Sequence, residues 1–228
     1  MCRLRVSRAD SLASWFLDVM QTEIQRNPNW LFDIRCLNQE DTVSELLAGK
    51  ALVAVTTQKK APQGFKSIHL GTHRYRAVAG AEFMNRYFAD GVNETSILNA
   101  PALSGGQDDL QHQWLFDVYK KELPIISHRI PNSMSFVSAT KKNIGWSVNP
   151  TEMVQEGIDS GELFELIPSK TLDKKIYWQF CRAIADSVKP LTDTITNVAR
   201  KNLIQEETQI FKIKLSKPED LGEDRVRN

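Results

Sequence analysis

No stretch of this chain stays apolar for long. The opening Met1-Cys2-Arg3-Leu4-Arg5-Val6 interleaves its apolar residues with arginines, which excludes a secretory leader or a membrane span of about 20 apolar residues. Cysteine is scarce: Cys2, Cys36 and Cys181 are odd in number, far apart and without CxxC or His-rich spacing. That excludes a disulfide framework and a zinc site, and points to reduced thiols in a cytoplasmic protein. An excess of either charge is missing too. Twenty-nine basic against 28 acidic residues leave a formal charge of +1, too little to neutralise DNA phosphates, so this stretch is not read as a nucleic-acid binder. His69, His73, His112 and His128 are scattered, and no Ser or Cys stands in a nucleophile motif. No carboxylate pair is set by local spacing and no Gly-rich phosphate loop occurs, so neither an enzyme nor a cofactor is expected. His69 and His73 are expected at the surface near a hinge.

What is present is an alternation of strand and helix patterns in a chain whose 41% hydrophobic content can bury a real interior. Leu4 and Val6 alternate with polar neighbours as a strand. Asp10 or Ser11 can cap a helix whose apolar residues Leu12, Trp15, Phe16, Val19, Met20 and Ile24 recur at helical spacing. Leu31 to Cys36 is a second strand, and Thr42-Val43-Ser44-Glu45 a capping-box pattern for a helix closed near Gly49. The nearly continuous apolar run Ala51 to Val55 then predicts a strand of a parallel sheet buried on both faces.

A second α/β series begins near Arg74-Tyr75-Arg76-Ala77-Val78-Ala79. It comprises a helix over 81–88, a short segment over 95–99, a strand over 101–104, a helix over 108–119, the stretch Ile125 to Ile130, a helix capped by Asn132, a strand from Gly145 to Val148, a helix after Pro150 and a strand from Glu162 to Ile167. Lys175 to Phe180 reads as a returning strand, and Ala183 to Leu203 as an amphipathic helix belonging to the first series. The expected division is one lobe of 1–76 plus 177–204, a second of 77–176, and a charged extension over 205–228 read as partly disordered.

Several segments together resemble a known family: Ala9-Asp10-Ser11-Leu12-Ala13-Ser14-Trp15, Ala54-Val55-Thr56-Thr57-Gln58, Phe83-Met84-Asn85-Arg86-Tyr87-Phe88-Ala89-Asp90-Gly91-Val92, Asn132-Ser133 before Phe136, Ser160-Gly161-Glu162-Leu163, and Tyr177-Trp178. In this order, from about residue 4 to residue 185, they are similar to the effector-binding domain of LysR-type transcription regulators. The likeness is to the branch that responds to arginine and lysine, also described as inhibiting chromosome replication initiation. The resemblance implies a periplasmic-binding-protein-like α/β fold of type II, two lobes joined by two crossover strands, with a small effector between them. It implies a homodimer or higher oligomer, DNA contact through a winged helix-turn-helix that this sequence does not include, and no membrane partner. The sequence departs from the family pattern at Gly49-Lys50-Ala51-Leu52 and Ser104-Gly105-Gly106-Gln107.

Ligands in open α/β sheets sit beyond the carboxyl ends of strands, where helix N-termini offer unpaired N–H groups to an anion. Through the resemblance, effector contacts fall on Asp10, Ser11, Thr56, Thr57, Asn132 and Ser133. Asp108 and Asp109 are acceptors for a basic side chain, and Trp146 is a candidate cleft wall. Asp10, Asp108 and Asn132 serve equally well as plain helix caps, and Trp146 as core. The apolar sides of the helices over 12–26 and 151–160 are candidates for a dimer face or for core. A stand-alone solute-binding protein for an amino acid or small carboxylate shares this architecture.

Overall fold

The computed structural model describes residues 2–8, 13–36, 39–105, 110–130 and 133–205. The first half of the chain alternates β1 (Cys2–Arg8), α1 (Ala13–Arg26), β2 (Trp30–Cys36), α2 (Gln39–Leu47) and β3 (Val53–Thr56). β1 runs parallel to β2 along its length and parallel to β3 at Val6 and Ser7. Parallel neighbours require a crossover connection. α1 supplies one, burying Trp15, Phe16 and Val19 on one face while Leu17 and Ile24 stay exposed on the other. Gly49 closes α2 at φ +65, a conformation that costs an L side chain energy and glycine nothing.

β3 is buried at all four positions, as its apolar run predicts. Its second neighbour, however, is antiparallel: β9 (Thr171–Cys181), with Val53 opposite Phe180 and Thr56 opposite Tyr177. β9 in turn pairs with β4 (Phe65–Gly80), 16 residues long. Both long strands extend well beyond what the sequence marks, which is 74–79 for the first and Lys175 onward for the second. Each passes from one core into another, so the buried face changes along its length. A bulge between His69 and Gly71 breaks the two-residue period at the point of change.

The second core is built on α3 (Ala81–Tyr87), α4 (Glu94–Asn99), β5 (Ala102–Ser104), α5 (Leu110–Tyr119), β6 (Ser127–Arg129), α6 (Ser133–Lys141), β7 (Ser147–Pro150), α7 (Thr151–Asp159) and β8 (Leu163–Glu165). The segment of unassigned type over 95–99 is a helix, and its cap explains why. Ser96 N–H donates to Asn93 Oδ1 at 3.0 Å, while the Asn93 N–H donates back to Ser96 Oγ at 2.9 Å. The helix expected over 183–203 is divided: a 3-10 turn covers Arg182–Ile184, and α8 (Lys189–Asn202) starts afresh with Pro190 in its first turn, where a missing N–H costs nothing.

The strands order as β2-β1-β3-β9-β4-β7, with β8 also on β4, and β5 pairs in parallel with β6. One core gathers Trp15, Phe16, Val55, Leu70, Ile176, Trp178, Leu191 and Ile195. The other gathers Tyr75, Ala77, Phe83, Trp114, Trp146 and Leu172. Membership changes between Leu70 and Tyr75 on β4 and between Leu172 and Ile176 on β9. α8 returns to α1, and the contact carries a buried polar node: the Glu23 carboxylate, 0% exposed, accepts from Thr194 Oγ1 and, at 3.4 Å, from Arg26 and Asn27. The apolar side of α7 is core, with Val154 buried and Ile158 packed beside it.

Where β4 and β9 cross between the cores, Arg74 donates twice to the Asp173 carboxylate, at 2.8 and 2.7 Å. Those hydrogen bonds hold the Asp173 carboxyl below its usual range and raise Arg74 above its own. A carboxyl depressed in the native state contributes stability above its unfolded value and loses it as pH falls through the native one. The side chains are 40% and 39% exposed, so solvent screens the pair. Asp173→Asn is therefore expected to cost less than about 1 kcal/mol near neutrality. Urea unfolding of both proteins near neutral pH and below about pH 3 should show the difference vanish in acid.

Candidate functional site

The strand registers locate the carboxyl ends. Thr56, the last residue of β3, sits opposite Tyr177 where β9 enters the first core. Pro150, the last residue of β7, sits opposite Tyr75 where β4 enters the second. β5 is parallel to β6 and bridges in parallel to Trp146 just before β7. The carboxyl ends of the parallel strands of both cores therefore lie at the same crossover. Helix N-termini follow them: α1 after β1, α5 after β5 and α6 after β6. Partial positive charge is thereby directed toward this region from both cores.

Of the residues singled out in the sequence, Thr56 and Thr57 are described in full. Thr56 is buried and its hydroxyl accepts the Gln58 N–H at 3.2 Å, which turns the chain at the end of β3. Gln58 is held in turn, its carbonyl accepting from Gln179 Nε2 at 2.7 Å. Asp10, Ser11, Asp108, Asp109 and Asn132 lie outside the described residues, and Ser133 is described only in its backbone, as the first residue of α6. Trp146 is not a cleft wall. It is 0% exposed, its indole N–H donates to Ala100 O at 3.2 Å, and its ring lies 5.9 Å from that of Trp114. Residues 145–150 are buried throughout, so the strand end that carries this Trp has no exposed face.

The structure also corrects the reading of His73 as a surface residue: it is 2% exposed and hydrogen-bonded through both ring nitrogens. His69 is exposed and lies 5.2 Å, ring to ring, from Tyr177. Thr56, Tyr177 and His69 thus form one row across β3, β9 and β4. The sequence shows Tyr177 only as part of a resembling dipeptide, because pairing across a sheet of such high sequence separation leaves no local signal. Gly105, after β5, packs against Phe136 of α6; an added Cβ would sit 3.3 Å from that ring, so a bulkier residue in this turn requires the ring to move. Among the described residues no group of three His, Cys, Asp or Glu side chains is placed to hold a metal, and no helix is long and apolar enough to cross a membrane.

Two α/β cores, two long antiparallel strands between them and strand ends converging on the crossover define a protein of the type II periplasmic-binding-protein-like fold. Residues 3–183 match the LysR substrate binding domain, and the chain belongs to that family. It is 32% identical over 205 residues to the HTH-type transcriptional regulator ArgP of Pseudomonas aeruginosa strain UCBPP-PA14, covering 89% of this chain and 68% of the relative. Among solved structures, the C-terminal domains of a LysR family protein from Agrobacterium tumefaciens align with TM-score 0.85 and 35% identity, over 90% of this chain and all of the other. LysG from Corynebacterium glutamicum, solved full length with bound effector Arg, aligns with TM-score 0.78 and 25% identity over 89% of this chain and 69% of that one.

Proposed function

We propose that this chain senses a basic amino acid, lysine or arginine, held between two lobes, and passes the change in lobe geometry to a DNA-binding domain of the kind its regulator relatives carry. The observation that carries the reading is the convergence of the strand ends and helix N-termini of both cores on one crossover. The arginine in the LysG structure supports the ligand class. On this reading the lobes are 1–76 with 177–204, and 77–176, and the molecule works without catalysis in the cytoplasm as a homodimer or higher oligomer.

The chemistry follows from the charges. The N-termini of α1 and α6, with Ser11, Asn132 and Ser133 next to them in the sequence, take the α-carboxylate, and Thr56 and Thr57 offer hydroxyls. Asp10 accepts from the α-ammonium, and Asp108 with Asp109 neutralises the distal cation. A ligand that contacts both lobes favours the arrangement in which both sets of contacts are made, and that difference in affinity is what drives the switch.

Thermal unfolding with millimolar lysine, arginine or glutamate tests this. A ligand that binds only the folded state stabilises it by about 2.7 kcal/mol at a hundredfold excess over its dissociation constant. The midpoint is expected to rise with lysine or arginine and not with glutamate, and the rise to disappear in Asp108→Ala and Ser11→Ala. No shift with either basic amino acid rules out the effector assignment and leaves the fold untouched.

A further inference from the structure

The crossover strand β4 is gripped from both cores within three residues. Thr72 exchanges two backbone hydrogen bonds with Ile204, just beyond α8, at 2.8 and 3.0 Å, and α8 packs in the first core. Immediately after it, the first two residues of α7 take hold of the strand. Thr151 Oγ1 donates to Arg74 O at 3.1 Å, and Glu152 Oε1 lies 2.7 Å from His73 Nε2. α7 packs with the second core's strands β4, β7 and β8. The change of grip falls between Thr72 and His73, which face Lys175 and Lys174 on β9.

We propose that the His73–Glu152 pair is a proton-sensitive clasp that fixes the second lobe to the crossover strand, with the pivot of lobe motion between Thr72 and His73. The inference rests on the two-lobe reading above. The imidazole is 2% exposed, and its Nδ1 lies 3.1 Å from the Tyr75 hydroxyl. A neutral ring donates from Nε2 to the carboxylate and accepts from Tyr75; a protonated ring donates to both. Neither state loses a hydrogen bond, so protonation changes the charge of the contact and leaves its geometry in place. With the proton off, the bond is charge-assisted by the carboxylate alone; with it on, both partners are ionised and the hydrogen bond is also an ion pair.

Other charged groups lie on the elements packed against the ring. On β4, Arg74 is engaged by Asp173. On β9, the Lys174 amine donates to Gln113 of α5, and both line a groove of about 570 Å³ with His112. On the far edge of β4, Ile204 brings no charge. Lys174 and His112, when protonated, oppose an imidazolium, and Glu152, 2.7 Å from Nε2, favours it. The clasp therefore tightens when the ring carries the second proton.

Amide hydrogen exchange of residues 73–76, corrected for the intrinsic rate at each pH, measures the clasp with no effector present. In the unaltered chain, opening is expected to be roughly fivefold rarer in a buffer near pH 5.5 than in one near pH 8. In Glu152→Gln the ratio falls to about one. That side chain is 41% exposed, so the variant leaves no buried charge and folds; His73→Gln should match it. A ratio of one in the unaltered chain, or the same acid protection in Glu152→Gln, overturns the proposal. Since no amino acid is added, either result stands apart from the fate of the effector assignment.

Discussion

Trp146→Ala is expected to lower the unfolding free energy by about 3–5 kcal/mol, the usual cost of emptying the space of a buried aromatic side chain. The reason is local. The ring is 0% exposed, lies tilted against that of Trp114, and ties the end of the loop before β7 to Ala100 through its indole N–H. Its backbone also bridges β5, with Leu103 N–H donating to Trp146 O at 2.8 Å and Trp146 N–H to Pro101 O at 3.1 Å, so a collapse around the cavity would drag the strand pair. Trp146→Phe keeps most of the volume and loses the indole donor, and about 1–2 kcal/mol is expected. Urea denaturation of the three proteins reads this directly. Lysine and arginine titrations on the folded fraction should be indifferent to the phenylalanine change. A selective loss of ligand response with full stability would instead return Trp146 to the cleft.

Gly71→Ala is expected to cost about 2–4 kcal/mol, from backbone strain and overpacking together. Gly71 holds φ +139, and a Cβ there would meet Gln205 Nε2 at 2.7 Å, Leu203 Cβ at 2.8 Å and Ile204 O at 3.0 Å. Two of these are not flexible tips, so the segment after α8 must withdraw from β4 and give up its bridge to Thr72. Gly64→Ala is the control: φ is +85, yet nothing lies within 4 Å, and only the strain of about 1–2 kcal/mol remains. Thermal unfolding of the pair separates contact from conformation. Equal losses at the two positions would mean that the Ile204 bridge contributes nothing.

The helical spacing of Trp15, Phe16 and Val19 reports one buried face, the apolar run ending at Val55 reports a strand buried on both, and those elements are legible in the sequence. β4 and β9 are not legible in full, because each serves two cores and its pattern is a splice of two. α4 is too short for a period to show, and is identified by the reciprocal Asn93–Ser96 cap. The functional site divides in the same way. Thr56 stands out because it follows a recognisable strand. The Thr56–Tyr177–His69 row and the His73–Glu152 contact join residues far apart in the chain, and no local spacing encodes them. Five of the residues singled out for ligand contact, Asp10, Ser11, Asp108, Asp109 and Asn132, lie outside the described residues, and ligand measurements decide their role.

The two cores also differ in when they can be completed. The second draws on residues from Tyr75 to Leu172 without a break, whereas the first needs both Trp15 near the start and Leu203 near the end. During synthesis from the N-terminus, every member of the second core leaves the ribosome before α8 does. The early strands β1, β2 and β3 must then wait with an unfinished apolar face, through the translation of the whole insert, for the segment that covers it. Completion of the first core, and with it the contact of α8 on α1, is therefore expected to come last during synthesis.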